Sequence, residues 1–244
     1  MDLRPIQTFI LDILFPVSCL GCGKNNQWIC ESCFSKIILQ EDQVCPYCEK
    51  AITPDGRVCF GCKNKQSLDG LLVAASYSQK LVSLAVHNYK YKFVSDLSVP
   101  LGKLLLKRIL KSELPLSDLL IPVPLHSYRL RWRGFNQSRL LAEYLGENLV
   151  PELKIPVLNS VLLRRRYTLP QMKIADYFER QKNIQGIFCL GEEKEKLIGK
   201  RIWLIDDIAT TGSTLFECTK VLKQAGAKEV FAIVIARQEI NKNY

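Results

Sequence analysis

The sequence predicts an α/β protein, a mainly parallel sheet flanked by helices, behind a small cysteine-rich module. Three observations carry that expectation. From about Leu68 onward, strand-like apolar runs alternate with segments of helical period, the pattern of strand–helix units rather than hairpins. One buried-strand run, Ile202–Ile205, leads through two acids and a Gly/Thr-rich turn into a helix. Ahead of both, eight of the ten cysteines fall in four Cys-x-x-Cys pairs.

Taken in order, Gly70–Tyr77 reads as a strand, and Leu81, Leu84, Ala85 and Asn88 then repeat at helical spacing. Leu97–Leu110 reads as an amphipathic helix, Leu119–Val123 as a short strand ending among prolines, and Asn136–Leu149 as a further helix. Val157–Leu163 and Arg201–Asp206 read as strands, Ser213–Ala225 as a helix closed by Gly226, and Glu229–Ala236 as the last strand. The texture changes near Leu68, so the expected division is residues 1–67, an N-terminal helix with a cysteine module, and residues 68–244, the α/β domain.

Composition narrows the function classes. A chain of 244 residues with 48% hydrophobic and 24% charged residues has the make-up of an ordinary globular protein. No apolar run is long enough to span a bilayer. Ile6–Phe15 is apolar, but Asp2 and Asp12 flank or interrupt it and no basic n-region precedes it. It is expected to be a short amphipathic helix, not a secretion signal, and the protein is expected in the cytoplasm. The net charge of +10 is concentrated between residues 77 and 201, where 22 basic residues face 11 acidic ones. A field placed there suits a polyanion such as a phosphorylated sugar, a nucleotide or nucleic acid.

The cysteine pairs are Cys19/Cys22, Cys30/Cys33, Cys45/Cys48 and Cys59/Cys62. Two thiolates two residues apart can reach one tetrahedral ion from a tight turn, and a second turn completes the sphere. Gly21, Gly61 and Pro46 sit inside three of the turns. Two structural Zn2+ ions are expected, with sequential pairing favoured over a cross-braced arrangement. A segment so poor in apolar residues needs the metal to fold. Cys189 and Cys218 stand apart and read as core thiols.

The chemistry is expected at the end of the Ile202–Ile205 strand. Asp206 and Asp207 follow it, and Thr210, Thr211, Gly212, Ser213 and Thr214 open the next helix. Hydroxyls and unpaired N–H groups at a helix N-terminus hold a phosphate, and Gly212 allows close backbone approach. Two carboxylates would repel that phosphate, so they suit neutral donors such as ribose hydroxyls. Acids for a diol beside amides for a phosphate fit a 5-phosphoribosyl group.

These residues resemble the phosphoribosyl-diphosphate (PRPP) motif of type I phosphoribosyltransferases. The cysteine pairs ahead of them, Tyr89-Lys90-Tyr91, Pro122-Val123-Pro124, Arg133-Gly134-Phe135-Asn136-Gln137, the stretch from Thr168 to Asn183 and Gly226-Ala227 extend the resemblance over nearly the whole chain. Together they resemble the ComF family of competence-related proteins, in which a double zinc ribbon precedes a type I phosphoribosyltransferase fold. Ala209 and Ser213 depart from the family pattern within the loop.

The resemblance implies displacement of diphosphate at the anomeric carbon, with Mg2+ bridging diphosphate and ribose oxygens. It places Asp206 and Asp207 on the ribose hydroxyls and Thr210–Thr214 around the 5-phosphate. It puts the diphosphate near Val123 and Pro124, with Lys90, Lys92, Arg131 and Arg133 as cationic candidates. His126 is expected to serve a capping or surface role. The stretch from Arg164 to Asn183 is expected to cover the site or to contact DNA, with Tyr167, Tyr177 and Phe178 able to stack on bases. The implied partners are PRPP, single-stranded DNA and a DNA-translocating helicase of the competence machinery. Two other readings stay open: a phosphoribosyltransferase of nucleotide or cofactor metabolism, and a ligand-sensing adapter without turnover.

Overall fold

A computed structural model describes residues 17–65, 67–166 and 184–238. The expected helix at Ile6–Phe15 and the segment carrying Tyr167, Tyr177 and Phe178 lie outside the described residues. Four parallel strands form the central sheet: β1 (Gly70–Ser76), β2 (Leu119–Pro122), β5 (Arg201–Ala209) and β6 (Glu229–Arg237), in the order β1-β6-β5-β2. A two-stranded antiparallel pair, β3 (Leu162–Arg164) with β4 (Phe188–Leu190), lies apart from it.

Both faces of the sheet are covered, so its inner strands read as continuous apolar runs instead of alternating ones. Helices α2 (Lys80–Tyr91), α3 (Ser98–Ile109) and α5 (Gln137–Asn148) cover one face. There Leu72, Trp203, Ile205 and Phe231 pack with Leu101, Leu105, Leu141 and Leu145. On the other face α6 (Ser213–Gln224) and the β3–β4 pair bring Leu215, Leu222, Val161 and Phe188 onto Leu71, Leu204 and Ala232. Most of these side chains are almost wholly buried, and each such Leu, Ile or Phe contributes about 1.5–3 kcal/mol relative to exposure.

The cysteine-bearing segment, with its one-turn helix α1 (Glu31–Phe34), closes the outer edge of β1. An edge strand left bare would present unpaired amides to other chains. Here the buried Gln43 side chain imitates a strand: its Oε1 accepts from the Val73 N–H (2.9 Å) and its Nε2 donates to the Val73 carbonyl (3.0 Å). The Gln40 N–H donates to the Ala74 carbonyl at 2.9 Å, and Val58 N–H to Asp69 at 3.1 Å. Gly56 makes the approach possible. It has φ +70°, and a Cβ there would lie 2.0 Å from the Leu71 carbonyl oxygen.

Within the described residues the expected elements are present with three differences. β5 does not stop at Asp206 but continues to Ala209. The expected strand Val157–Leu163 is only a bridge at Val157 to Leu120 followed by irregular chain, with regular pairing confined to Leu162–Arg164. Helix α4 (Ser127–Arg133) went unforeseen because it is short and carries no apolar stripe that could be told from a loop. Cys218 is buried as expected, whereas Cys189 is half-buried.

Gly56→Ala should therefore cost about 3 kcal/mol or more, since it adds left-handed strain to a clash with backbone that cannot rotate away. Urea unfolding of the two proteins measures it. A loss under about 1 kcal/mol would mean that the edge contact is not as tight as the geometry states.

Candidate functional site

The thiols gather into two clusters in sequential order, Cys19/Cys22/Cys30/Cys33 and Cys45/Cys48/Cys59/Cys62, each with its sulfurs within 4.8 Å of one another. Zn–S bonds of about 2.3 Å in a tetrahedron require sulfurs roughly 3.8 Å apart. Cys22 and Cys30 Sγ lie 3.5 Å apart and Cys48 and Cys59 Sγ 3.8 Å apart, so both clusters fit zinc. The Cys30 N–H also donates to Cys19 Sγ at 3.3 Å, a bond that would orient this sulfur and favour its thiolate form on zinc. Crowded thiols cannot all ionise alone. Hydrogen bonding to Cys30, then burial, pushes Cys33 up to about 12, while a hydrogen bond from Ser32, followed by the Cys33 N–H, brings Cys30 down to about 6. Cys62 and Cys48 repeat the contrast, at about 12 and about 6. Four thiolates become compatible when a cation sits among them.

The second feature is a cavity of about 560 Å³ at the carboxyl end of the sheet. Its origin is a mismatch of strand lengths. β2 pairs with β5 only as far as Pro122 opposite Ile205, with one further bond from the Val123 N–H to the Ile205 carbonyl (2.9 Å). β5 runs on, paired with β6 alone, from Asp206 opposite Val234 to Ala209 opposite Arg237. The side that β2 vacates is open. Such a carboxyl end is where ligands bind in open parallel sheets.

Asp206 and Asp207 line the opening. Lys90, from the last turn of α2, places Nζ 2.8 Å from Asp207 Oδ1. Burial works against the Lys90 charge, but Asp207 and then Asp206 outweigh it and hold its pKa above the ordinary lysine value. Asp207 Oδ1 also accepts from the Ile208 N–H at 2.7 Å. Asp206 accepts from the Ser138 hydroxyl (2.9 Å) and the Asp207 N–H (2.8 Å). Burial, reinforced by the neighbouring Asp207 charge, still pushes the Asp206 carboxyl up to about 7. The site thus holds one carboxylate fixed by an ion pair and one poised to gain or lose a proton near neutrality.

The turn after β5 is ordered from within. Gly212 has φ +75° and precedes α6. The buried Thr211 and Ser213 hydroxyls bond to each other at 2.7 Å, and the Ser213 N–H reaches Thr211 Oγ1 at 3.3 Å. Thr210 and Thr214 are the loop hydroxyls that line the cavity. Of the five expected loop residues, then, Thr210 and Thr214 line the cavity, while the buried Thr211 and Ser213 bond to each other and Gly212 supplies the left-handed turn.

Across the opening, Val123, Pro124 and Arg133 line the cavity; Lys92 and Arg131 do not. Arg133 Nη1 donates to Gln137 Oε1 at 3.1 Å, its guanidinium lies 5.8 Å from the Tyr91 ring centroid, and burial lowers its pKa. Its buried Nε has no hydrogen-bond partner among the described residues. His126 caps α4, its Nδ1 accepting from the Tyr128 N–H at 3.2 Å, which is the role expected of it.

Two residues, Ser138 and Arg129, escaped the sequence reading, and the roles of Gln137 and Asn136 within their expected segment were not foreseen. Ser138 holds Asp206 as above. Gln137 Nε2 donates to the Tyr89 carbonyl (3.2 Å) while the Tyr89 hydroxyl donates to the Gln137 carbonyl (2.9 Å), so α5 is locked to the helix that carries Lys90. Asn136 Nδ2 fixes the Val123 carbonyl at 3.0 Å. The Arg-Gly-Phe-Asn-Gln segment is therefore largely scaffold for the site. Arg129 and Arg164 also line the cavity; Arg164 opens the stretch expected to cover the site, whereas nothing but its Arg-rich surroundings hinted at Arg129.

Comparison with known proteins agrees with this anatomy. The double zinc ribbon domain family matches residues 10–65, and the phosphoribosyl transferase domain family matches residues 144–242. Competence protein F of Haemophilus influenzae is 28% identical over 232 residues, 91% of this chain and 98% of that protein. DNA utilization protein YhgH of Salmonella typhi is 31% identical over 210 residues, 84% of this chain and 88% of that protein. Competence protein ComFC of Bacillus subtilis is 25% identical over 217 residues, 83% and 81% of the two chains. With both domain families in this order and relatives aligned along most of its length, the chain belongs to the ComF family, a double zinc ribbon joined to a type I phosphoribosyltransferase fold.

Proposed function

We propose that the cavity binds the 5-phosphoribosyl group of PRPP with Mg2+, and that the protein uses this site in handling single-stranded DNA during DNA uptake. The acid pair carries the ligand half. A cavity for an anion alone would not place Asp206 and Asp207 beside the N-terminus of α6. Their acceptors match ribose hydroxyls, and the N–H groups around Gly212, with the Thr210 and Thr214 hydroxyls, match the 5-phosphate. Arg133 and Lys90, which line the same cavity as Val123 and Pro124, are the cations we assign to a diphosphate seated there. Mg2+ would neutralise diphosphate charge when bound, and Asp206, whose carboxyl burial pushes up to about 7 in the free protein, is the acid that a nearby cation would draw into its charged form.

The DNA half rests on the names of the relatives and on the basic excess in the middle of the chain. The setting we propose is the cytoplasm, beside a DNA-translocating helicase. In the turnover reading Asp206, which lines the cavity and whose carboxyl burial pushes up to about 7, takes the proton from an acceptor nucleophile as it bonds to the anomeric carbon and diphosphate leaves.

Calorimetric titration should show PRPP binding in the presence of Mg2+, weakened at least tenfold (about 1.4 kcal/mol) in the Asp206→Asn/Asp207→Asn double variant. Wild-type protein that binds neither PRPP nor ribose 5-phosphate would overturn the ligand reading, and diphosphate release with candidate acceptors separates enzyme from sensor. For the acid itself, the folded-state pKa lies above the ordinary 3.8, so the folded protein holds a proton that the unfolded chain has released. Stability is therefore lost as pH rises from about 4 to about 7. Asp206→Asn should escape that loss: its stability gain over wild type in urea should grow by about 2 kcal/mol between pH 5.5 and 8. A gain independent of pH would contradict the raised pKa. Binding of single-stranded DNA should weaken steeply with salt, with log K falling by about 0.7 per phosphate contact per decade. A flat dependence would rule out a phosphate-backbone interface.

A further inference from the structure

We infer that the second cysteine cluster acts as a strut for the ribose-phosphate loop, through Tyr47 and Glu49, two positioning residues carried by the cluster's own turn. Tyr47 lies between Cys45 and Cys48, and Glu49 directly follows Cys48. The two side chains reach the two flanks of the turn 210–212.

On the helix side, the Tyr47 ring stacks on Phe216 of α6, with centroids 4.5 Å apart and planes 15° from parallel. Phe216 in turn lies against the turn, since a Cβ on Gly212 would come within 3.0 Å of its ring. The Phe216 N–H closes the first helical turn on the Gly212 carbonyl at 2.9 Å. The Tyr47 hydroxyl meanwhile accepts from the Leu68 N–H at 3.0 Å, which holds the ring in place from behind. On the strand side, Glu49 Oε1 accepts from Arg237 Nη2 at 2.7 Å. Arg237 ends β6 opposite Ala209, the residue before Thr210, and the Gln238 N–H bonds to the Ala209 carbonyl at 2.9 Å.

An internal comparison supports a role beyond closing the knuckle. The first cluster has the same turn: the Gly23 N–H bonds to the Cys19 carbonyl at 2.8 Å, as the Glu49 N–H does to the Cys45 carbonyl at 3.0 Å. Gly23 has φ +76° and Glu49 φ +57°. Glycine is the residue without strain there, and the first knuckle uses it. The second carries a glutamate in a left-handed conformation that strains a side-chain-bearing residue, and its carboxylate goes to the loop-flanking arginine.

The inference rests on the ribose-phosphate reading of the loop, and its test separates the two. Four full-length variants, Tyr47→Leu, Tyr47→Phe, Glu49→Gly and Phe216→Leu, are compared with wild type. The measurements are zinc content, thermal midpoint, amide hydrogen exchange over residues 209–214 without ligand, and PRPP affinity with Mg2+. Tyr47→Leu and Glu49→Gly should keep two zinc ions per chain yet exchange the loop amides about tenfold faster and bind PRPP about tenfold more weakly. Glu49→Gly is the discriminating variant because it relieves backbone strain: its midpoint should not fall while its loop loosens. Tyr47→Phe keeps the stack but loses the hydroxyl's bond from the Leu68 N–H, so its loop exchange should lie between wild type and Tyr47→Leu. Should Tyr47→Leu fail to fold, Phe216→Leu removes the same stack from the helix side. Loop exchange unchanged in zinc-loaded Glu49→Gly and in the stack variant overturns the inference. Faster exchange in a protein whose wild type binds no PRPP leaves the strut standing and removes the ribose-phosphate reading instead.

Discussion

The arrangement depends on β5 being longer than the neighbour it leans on. While β2 runs beside it, both edges of β5 are paired and both faces are covered, and only apolar side chains fit. Where β2 turns away after Pro122, β5 continues on its pairing with β6 alone. The chain gains an edge that is rigid and open at once. Rigid backbone is what a binding group needs if it is to be held within a fraction of an ångström. Prolines at 122 and 124 suit the departing strand, because they offer no N–H to continue an outer ladder.

Placing two carboxylates at that edge has a consequence in electrostatics. Neighbouring acids with little water between them cannot both stay charged cheaply, and the protein meets this unevenly. Asp207 is matched by Lys90, brought in on α2, and Asp206 receives neutral donors from Ser138 and the backbone. The helices that cover one face of the sheet are thereby coupled to the site: α5 carries Ser138, and its Gln137 is locked to Tyr89, the residue before Lys90. Stability is given up at Asp206 so that charge is available there, a trade common where a fold must present polar groups to a ligand.

The cysteine module has two structural duties of different origin. Gln43, Gln40 and Val58 satisfy the free edge of β1, which any sheet of this size must have covered. Tyr47 and Glu49 reach further, to either side of the loop at the end of β5. Legibility differed along these lines. Cys-x-x-Cys spacing and the Asp-Asp-Ile-Ala-Thr-Thr-Gly run are local signals, because ligands and turns must lie close in sequence to meet one ion or one phosphate. Pairings such as Ser138 with Asp206, Gln43 with Val73 or Tyr47 with Phe216 join residues far apart in the chain, and no spacing rule announces them. Individual loop hydroxyls were ambiguous for a third reason: whether Thr211 faces inward or outward depends on the turn's φ angles, not on its being threonine.

The sequence by itself determined the class of the sheet, the two groups of four thiols and the identity of the acid–hydroxyl loop, since each is written in residues within a turn or a strand of one another. Tertiary structure alone decided which acid is ion-paired and which titrates near neutrality, which basic residues face the cavity, and which knuckle touches the loop. Those properties follow from distance and desolvation between elements, and a pKa or an ion pair has no value until the fold has set both.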